Sequence, residues 1–215
     1  MRGLKAGYFC LLVTLQLTAC ATGIRLSDAD RTELRRQSVI HVLHYESRAP
    51  RIETNNKASA PSPSAVRRHA AADPAALVAK NFSLLLAKKE KLKNLRVEPG
   101  QLPLPVVRDA SAYREKFAKR LVLELWTDAW TFSVLPAHPN TYTMSLSMRS
   151  RLARTDNGRV LWSTGRCRVD GSSAGREQRL LHTELTSGTK LRKVLAAARD
   201  ECARQLIRDF GVLPK

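Results

Sequence analysis

The chain has 215 residues, of which 43% are hydrophobic, and it carries a formal net charge of +18 at pH 7. This hydrophobic content is sufficient for a packed core and excludes a chain that is disordered throughout. A cation surplus of this size favours an anionic partner or an anionic surface.

Residues 1–19 have the pattern of a signal peptide. Arg2 and Lys5 precede an apolar run that extends from Tyr8 to Leu17. A membrane-spanning helix needs roughly 20 apolar residues, so this run is too short to cross a bilayer. We expect the segment to be removed, which leaves the mature chain with a net charge of about +16 because Arg2 and Lys5 are lost.

The end of this segment, Leu17-Thr18-Ala19-Cys20, resembles the bacterial lipobox. The resemblance implies cleavage before Cys20, attachment of diacylglycerol to its thiol and acylation of the new amine by a fatty acid such as palmitate. Two or three acyl chains anchor firmly, since each buried CH₂ contributes about 0.8 kcal/mol. Ala21 replaces the Asp of inner-membrane retention signals, which favours the periplasmic face of the outer membrane. An ordinary signal peptide with a chance cysteine is the alternative.

Export changes the meaning of the positive charge. An envelope lipoprotein does not routinely meet nucleic acid, so we expect no nucleic-acid partner. Phospholipid headgroups, lipopolysaccharide and acidic envelope proteins are the anions at hand. An arginine-rich composition that only makes the surface soluble remains the other explanation.

The mature chain is expected to form one domain behind a tether. Residues 20–37 are polar and predict the tether, and residues 38–215 predict a single α+β domain. Within it, Ser38–Glu46 is rich in β-branched and apolar residues and predicts the first strand. Residues 47–72 are rich in Pro and Ser and have few large apolar groups, so we expect a disordered loop.

Two capping signals predict helices after the loop. Asp73 followed by Pro74 is typical of a helix start, and the helix is expected to end near Lys91. Asp109 predicts a second start, and the residues with helical spacing behind it are Tyr113, Phe117 and Leu121. A short strand is expected between them at residues 95–97.

The middle of the chain predicts strands. Residues 121–136 are apolar and β-prone, and residues 141–148 alternate strictly between apolar and hydroxyl side chains, which is the period of a half-buried strand. The Asn157-Gly158 pair predicts a hairpin. Residues 160–169 are expected to return as the next strand.

The last predicted element is a helix over Thr189–Phe210. Its apolar face consists of Leu191, Leu195, Ala198, Cys202, Leu206 and Phe210. Together the patterns predict an α+β fold, with an antiparallel sheet of about four strands and helices packed on one face.

The chain keeps two cysteines after Cys20 is acylated, and they are Cys167 and Cys202. An even pair in an oxidising compartment predicts a disulfide. The bridge would join the returning strand to the last helix and contribute roughly 3 to 4 kcal/mol. Two reduced, buried cysteines are the alternative.

No residue pattern predicts catalysis. His41 and His44 lie on one strand and alternate between its faces, so only His44 and Glu46 would share a face, and we expect neither a metal site nor a cofactor. Ser187 and Lys190 have the ingredients of a nucleophile and its base but occupy a helix start. We therefore expect no catalytic residues.

Cations of the last helix are the expected electrostatic contacts. They lie largely away from its apolar face, and they are Lys190, Lys193, Arg199, Arg204 and Arg208.

The segment from residue 95 to residue 211 resembles a group of uncharacterised proteobacterial lipoproteins. The shared pattern is a long strand, an alternating strand that ends in an Asn-Gly-Arg-Val turn, a strand with Cys167 and a closing helix with Cys202. The Gly-Arg-Val-Leu-Trp hairpin and the last helix also resemble auxiliary lipoproteins of ABC-type intermembrane lipid transport. These resemblances imply an α/β domain at the outer membrane and supply no catalytic residues.

The function expected from the sequence is that of a non-enzymatic envelope lipoprotein. It would bind an envelope partner or anionic lipid in transport or assembly. A periplasmic hydrolase without a recognisable motif and a purely structural lipoprotein are the alternatives. The hydrolase predicts a concave pocket that contains a hydroxyl or carboxylate beside a perturbed base.

Overall fold

The computed structural model describes residues 24–54, 60–70, 73–106, 109–117, 120–163, 167–171 and 179–211. Cys20 and the expected signal peptide lie outside these residues. Among the helices that are described, none is both long enough and apolar enough to cross a membrane.

The described elements mix helices and strands along the chain, as an α+β fold requires. In chain order they are α1 (Asp28–Arg36), β1 (Ile40–His44), β2 (Arg51–Glu53), α2 (Pro63–Ala70), α3 (Pro74–Glu90), β3 (Leu95–Val97), a 3₁₀ turn (Ala110–Tyr113), α4 (Arg114–Phe117), β4 (Leu121–Leu135), β5 (His138–Arg154), β6 (Val160–Ser163), β7 (Cys167–Asp170), β8 (Leu180–Leu181), α5 (His182–Ser187) and α6 (Thr189–Phe210).

The sheet is larger than expected and is mixed in direction. Eight strands are described, in the order β3-β1-β4-β5-β6, with β2 paired to β4 and with β7 and β8 paired to β5. Strand β1 runs parallel to both β3 and β4, and β2 runs parallel to β4. The expectation of about four antiparallel strands was wrong because parallel pairs join distant segments, which leave no local turn signal.

Strands β4 and β5 form the long hairpin at the centre of this sheet. Trp130 pairs with Leu146 and Phe132 pairs with Met144, and the register shifts between Thr127 and Ala129. The apolar residues of the alternating stretch are all buried, which confirms that prediction; they are Tyr142, Met144, Leu146 and Met148.

Helices α3 and α6 cover one face of the sheet and form the main core with it. Phe82 of α3 stacks on Trp162 of β6 at 6.1 Å between ring centroids, and Phe210 of α6 meets Trp162 edge-on at 4.8 Å. Helix α6 has the predicted bounds, and all six residues of its predicted apolar face are buried.

The disulfide ties this helix layer to the sheet. Cys167 of β7 and Cys202 of α6 are joined, with their Cα atoms 5.2 Å apart. Both residues are fully buried, so the predicted pair lies in the core between helix and sheet.

The opposite face of the sheet is covered only in part by the described residues. Tyr113 and Phe117 pack there, and the carboxylate of Glu124 lies fully buried beneath them. It accepts hydrogen bonds from Tyr45 Oη at 2.9 Å and Tyr113 Oη at 3.1 Å, and Arg151 Nε lies 2.5 Å away. Burial, followed by the contact with Tyr45, raises the pKa of Tyr113 above its ordinary value.

The two capping signals have different outcomes. The side chain of Asp73 accepts a hydrogen bond from the amide of Ala75, and α3 begins at Pro74 as predicted. Asp109 caps a 3₁₀ turn that passes into α4, which ends at Phe117. The helical spacing that extended to Leu121 was misleading, because Leu121 begins β4 and pairs with β1.

The segment expected to be a tether is largely folded onto the domain. Ser27 caps α1, and Leu26 and Leu34 are buried in the main core. Ile24 is fixed as well, since its amide donates to Ser163 Oγ at 3.2 Å and its carbonyl accepts from the Ser163 amide at 2.9 Å. A tether that continues to residue 37 is therefore a wrong prediction.

The loop expected at residues 47–72 contains two elements. Arg51–Glu53 forms β2, which pairs with Thr131–Ser133, and Pro63–Ala70 forms α2, which buries Val66 and Ala70. Disorder was therefore wrongly predicted for these stretches, because the distant strand β4 supplies backbone partners to β2 and the main core buries Val66 and Ala70 of α2. Residues 55–59 and 71–72 of this segment lie outside the described residues.

Candidate functional site

A polar pocket lies where the ends of α1 and α3 meet the beginning of β1. Its volume is about 240 Å³. The lining combines three cations, two amides and two aliphatic side chains, and it consists of Arg35, Gln37, Ile40, Lys91, Leu92, Lys93 and Asn94.

Local structure explains how one short segment supplies most of this lining. Lys91 ends α3 in the left-handed region with φ 56°, and its conformation turns the chain out of the helix axis. Asn94 follows just before β3, and its carbonyl accepts a hydrogen bond from the Ile40 amide at 2.9 Å. The segment between Lys91 and Asn94 is therefore fixed beside β1.

A buried carboxylate positions the α1 side of the pocket. Glu90 is only 3% exposed and meets Arg31 Nη1 at 2.6 Å and Arg35 Nη2 at 3.0 Å. Arg31 also donates to the Phe210 carbonyl at 2.8 Å, so these contacts join α1, α3 and α6. Two cations share one anion, and the group keeps a net positive charge.

Lys91 and Lys93 add further charge to the pocket. Both are exposed, and neither has an acidic partner within the described ranges. None of the seven described lining residues is acidic. The pocket is therefore a concentration of positive charge, which suits a small anion.

The cations expected to make contacts on α6 lie in a different setting. Lys190 meets Glu184 at 3.2 Å and Arg199 meets Asp200 at 2.6 Å. Arg204 and Arg208 both meet Glu201, at 2.9 and 3.2 Å.

Four of these five cations thus have an acidic partner, which offsets much of the charge of this set. Hydrogen bonds from Gln205 and Arg204 hold the pKa of Glu201 below its ordinary value, so this carboxylate stays ionised beside its arginines. Lys193 is exposed and has no acidic partner in the part of the chain that the structure describes. The contact role of all five residues stays a prediction.

The sequence contained a signal for the pocket that its interpretation missed. Residues 88–93 read Lys-Lys-Glu-Lys-Leu-Lys, and this run predicted only favourable cations at a helix end. The helix ends at Glu90, close to the expected end near Lys91, and the last two lysines of the run lie beyond it and line the pocket. Arg35 joins them from a segment more than fifty residues earlier, which no local pattern indicates.

The remaining candidate side chains are not brought together. His41 Nδ1 lies 2.6 Å from Glu98 Oε1 on one face of the sheet. His44 is buried, and burial lowers its pKa while nearby Asp73 opposes the shift. Lys190 pairs with Glu184 and makes no described hydrogen bond to Ser187.

The described residues contain no arrangement of side chains typical of a metal site. Across residues 24–211, apart from the gaps given above, no group of three His, Cys, Asp or Glu side chains is arranged to hold a metal ion. The two histidines of β1 point to opposite faces of the sheet, because His41 contacts the Phe117 ring while His44 lies on the helix side.

Comparison with known proteins found no matching family model and no matching curated protein. The comparison with solved structures did find matches. The PelC dodecamer from Paraburkholderia phytofirmans shares 16% identity, covering 76% of this chain and 89% of that chain, with a TM-score of 0.31.

Two further solved structures have similar scores. XCC0632 from Xanthomonas campestris, described under the family name DUF330, shares 9% identity over 80% of this chain and 83% of that chain, with a TM-score of 0.41. Lipoprotein GNA1162 from Neisseria meningitidis shares 13% identity over 80% and 99%, with a TM-score of 0.32. Likenesses at this level carry no argument about function or partners.

Proposed function

We propose that this chain is a non-enzymatic bacterial envelope lipoprotein. Cys20 carries the acyl chains, and the domain lies at the periplasmic face of the outer membrane. Its basic surface binds an anionic lipid or an acidic envelope partner in transport or assembly.

The observation that carries this proposal is the pocket of Arg35, Lys91 and Lys93. Three cations line a cavity of about 240 Å³ without an acidic residue among its described lining. Like charges held together raise the local affinity for an anion. Hydroxyl, thiol, imidazole and carboxylate side chains are all absent from these seven residues, and the cations and amides of the lining suit the binding of an anion.

The position of Ile24 supports a location at the membrane surface. Ile24, the first described residue, lies four positions after Cys20 and already pairs with Ser163. Four residues span at most about 14 Å when fully extended. An acylated Cys20 therefore keeps the domain next to the bilayer, where anionic headgroups and envelope proteins are available.

Replacement of Cys20 tests the anchor. The Cys20→Ala variant, expressed in a Gram-negative bacterium, should lose acylation and leave the detergent-extractable outer-membrane fraction. Mass spectrometry of the wild-type N-terminal peptide should find the acyl chains on Cys20. A variant that fractionates like the wild type would refute the lipoprotein assignment.

Vesicle binding tests the role of the charge. A chain that begins at residue 21 retains every residue that the structure describes, and it should sediment with vesicles that contain phosphatidylglycerol but not with phosphatidylcholine alone. Binding should weaken as salt is raised, because surface charges are screened beyond a Debye length of about 8 Å at physiological ionic strength. Equal binding to both vesicles would contradict the proposal.

A further inference from the structure

We propose that the pocket of Arg35, Lys91 and Lys93 binds the phosphate of a net-anionic phospholipid headgroup, presented by the same membrane that holds the acylated Cys20. This inference rests on the proposed function, since it requires the anchor. It adds a defined site and a defined ligand class to what would otherwise be a general electrostatic attraction.

Helix α1 connects the anchor point to the pocket. Ile24 lies just before α1 and pairs with Ser163 of β6, whereas Arg35 in the last turn of α1 lines the pocket beside β1. Nine helical residues span about 13.5 Å. Strands β1 and β6 are separated by β4 and β5, which corresponds to roughly 14 Å.

The length of α1 agrees with the separation between β1 and β6, because α1 crosses one end of the sheet. Ser163 pairs with Arg151, and Ile40 pairs with Leu121, whose other partner is Arg154. Anchor point and pocket therefore lie at the same end of the molecule. A bilayer that holds Cys20 close to Ile24 is within reach of the pocket.

Two acidic residues of α1 are paired with arginines of the sheet edge. Asp30 meets Arg159 at 3.1 Å, and Glu33 meets Arg154 at 2.6 Å. The pKa of Asp156, which also meets Arg154, lies below its ordinary value chiefly because Arg154 donates to it. Arg154 and Arg159 thus offset part of the acidic charge along this edge, and the exposed Asp28 lies in the first turn of α1, at the opposite end of the helix from Arg35.

The size of the pocket selects a small ionic group. A volume of about 240 Å³ lies below the roughly 300–1,000 Å³ of sites for drug-sized ligands and equals the space of about eight waters. Only Ile40 and Leu92 in the lining are apolar, which leaves no continuous apolar wall for an acyl chain. A headgroup phosphate fits both the volume and the polarity.

The donors of the pocket match phosphate oxygens. Arg35 donates a hydrogen bond from Nη2 to the carboxylate of Glu90, and its other guanidinium nitrogens have no described partner. A guanidinium recognises phosphate through parallel N–H donors, and a lysine ammonium adds a point charge. The side-chain amide of Asn94, which lies 3.4 Å from the Gln37 carbonyl, can turn to donate as well.

Amide hydrogen exchange of the acylated mature protein in lipid nanodiscs tests the site. One disc contains phosphatidylcholine alone and the other contains phosphatidylcholine with phosphatidylglycerol. The reporters are the amides of Ile40 and Leu92, which line the pocket and donate to Asn94 and Ala87 at 2.9 Å. Their exchange should be about tenfold slower in the anionic disc, the factor that nine-tenths occupancy produces.

Matched double variants separate the pocket from general charge. Two lysines near an anionic surface together contribute roughly 30-fold in affinity, so Lys91→Gln/Lys93→Gln should reduce the slowing to less than about twofold. The control, Lys80→Gln/Arg68→Gln, removes the same charge from exposed positions on α3 and α2 that have no described acidic partner. It should retain most of the slowing.

Several results would overturn the site. If the slowing of amide exchange decreases equally in the two double variants, the attraction to the membrane is diffuse and the pocket is not its site. The pocket would be assigned to free phosphate if inorganic phosphate slowed amide exchange in the neutral disc while the anionic disc alone did not slow it. Slowing by an acidic peptide alone would assign it to a protein partner.

The same experiment distinguishes failure of the proposed lipoprotein function from failure of the headgroup site. A wild-type protein that carries no acyl chain and enters neither disc refutes the proposed function. A protein that enters both discs but exchanges equally in them refutes only the headgroup site.

Discussion

Two cationic regions of this molecule differ in the anions that accompany them. On α6, Arg204 and Arg208 are 56% and 62% exposed and share the carboxylate of Glu201 on their own helix. At the pocket, the carboxylate of Glu90 is buried beneath Arg31 and Arg35, and the two lysines above it have no described acidic partner. The number of cations on a helix is therefore a poor guide to the charge that is available for binding.

The largest expected effect concerns the two carboxylates. Glu90→Gln should lower the free energy of unfolding by about 3 to 5 kcal/mol, because it leaves the largely buried Arg31 without its anion. Glu201→Gln should cost at most about 1 kcal/mol, since its partners are exposed and screened. Urea unfolding of both variants measures the difference, and similar losses would show that the two regions are equivalent.

The disulfide between α6 and β7 should have the next largest effect, and neither of its cysteines lines the pocket. Cys167→Ala/Cys202→Ala should lower the free energy of unfolding by roughly 3 to 4 kcal/mol, since the bridge closes a loop whose ends are 35 residues apart. Non-reducing mass spectrometry of the wild type should recover the linked peptide. Free thiols in periplasmic material would contradict the bridge.

A smaller effect is expected in binding to anionic vesicles. Lys91→Gln/Lys93→Gln should weaken co-sedimentation by roughly 30-fold, which corresponds to about 2 kcal/mol. Arg204→Gln/Arg208→Gln, with the same change in net charge, should weaken it by less than about threefold because Glu201 already neutralises part of this charge. A larger loss of binding in the α6 double variant than in the pocket double variant would place the contact surface on α6.

The smallest expected effect is a pH dependence on the pocket side. His44 lies on β1, whose first residue Ile40 lines the pocket, and burial lowers its folded-state pKa. The unfolded state then binds the proton more readily, so stability is highest above the unfolded pKa of about 6.5 and falls as pH drops through it. Urea unfolding at pH 7.5 and 5.0 should show a smaller acid loss in His44→Gln than in the wild type or in His138→Gln.

Much of the fold follows from local sequence patterns. The strict alternation from Tyr142 to Met148 and the apolar face of α6 were both buried as predicted, because each element buries one complete face. Capping chemistry located the start of α3 at Pro74. In these cases residues close in sequence decide the structure.

The remaining features depend on partners that are distant in the chain. Strand β2 exists because Arg51–Glu53 lies against Thr131–Ser133, and α1 is fixed by the burial of Leu34 in a core built from later segments. The pocket has the same origin, since Arg35 meets Lys91 and Lys93 only after β1 and β3 pair. Individual lysines were visible in the sequence, but their convergence was not.

The short connection between Cys20 and Ile24 has a consequence for affinity. Once Cys20 is acylated, as proposed, a link of at most about 14 Å confines the domain to a thin layer beside the bilayer. Linkers this short give effective concentrations in the millimolar range. A pocket with only millimolar intrinsic affinity would then be substantially occupied, and the domain could exchange one headgroup for another rapidly while it stays attached to the membrane.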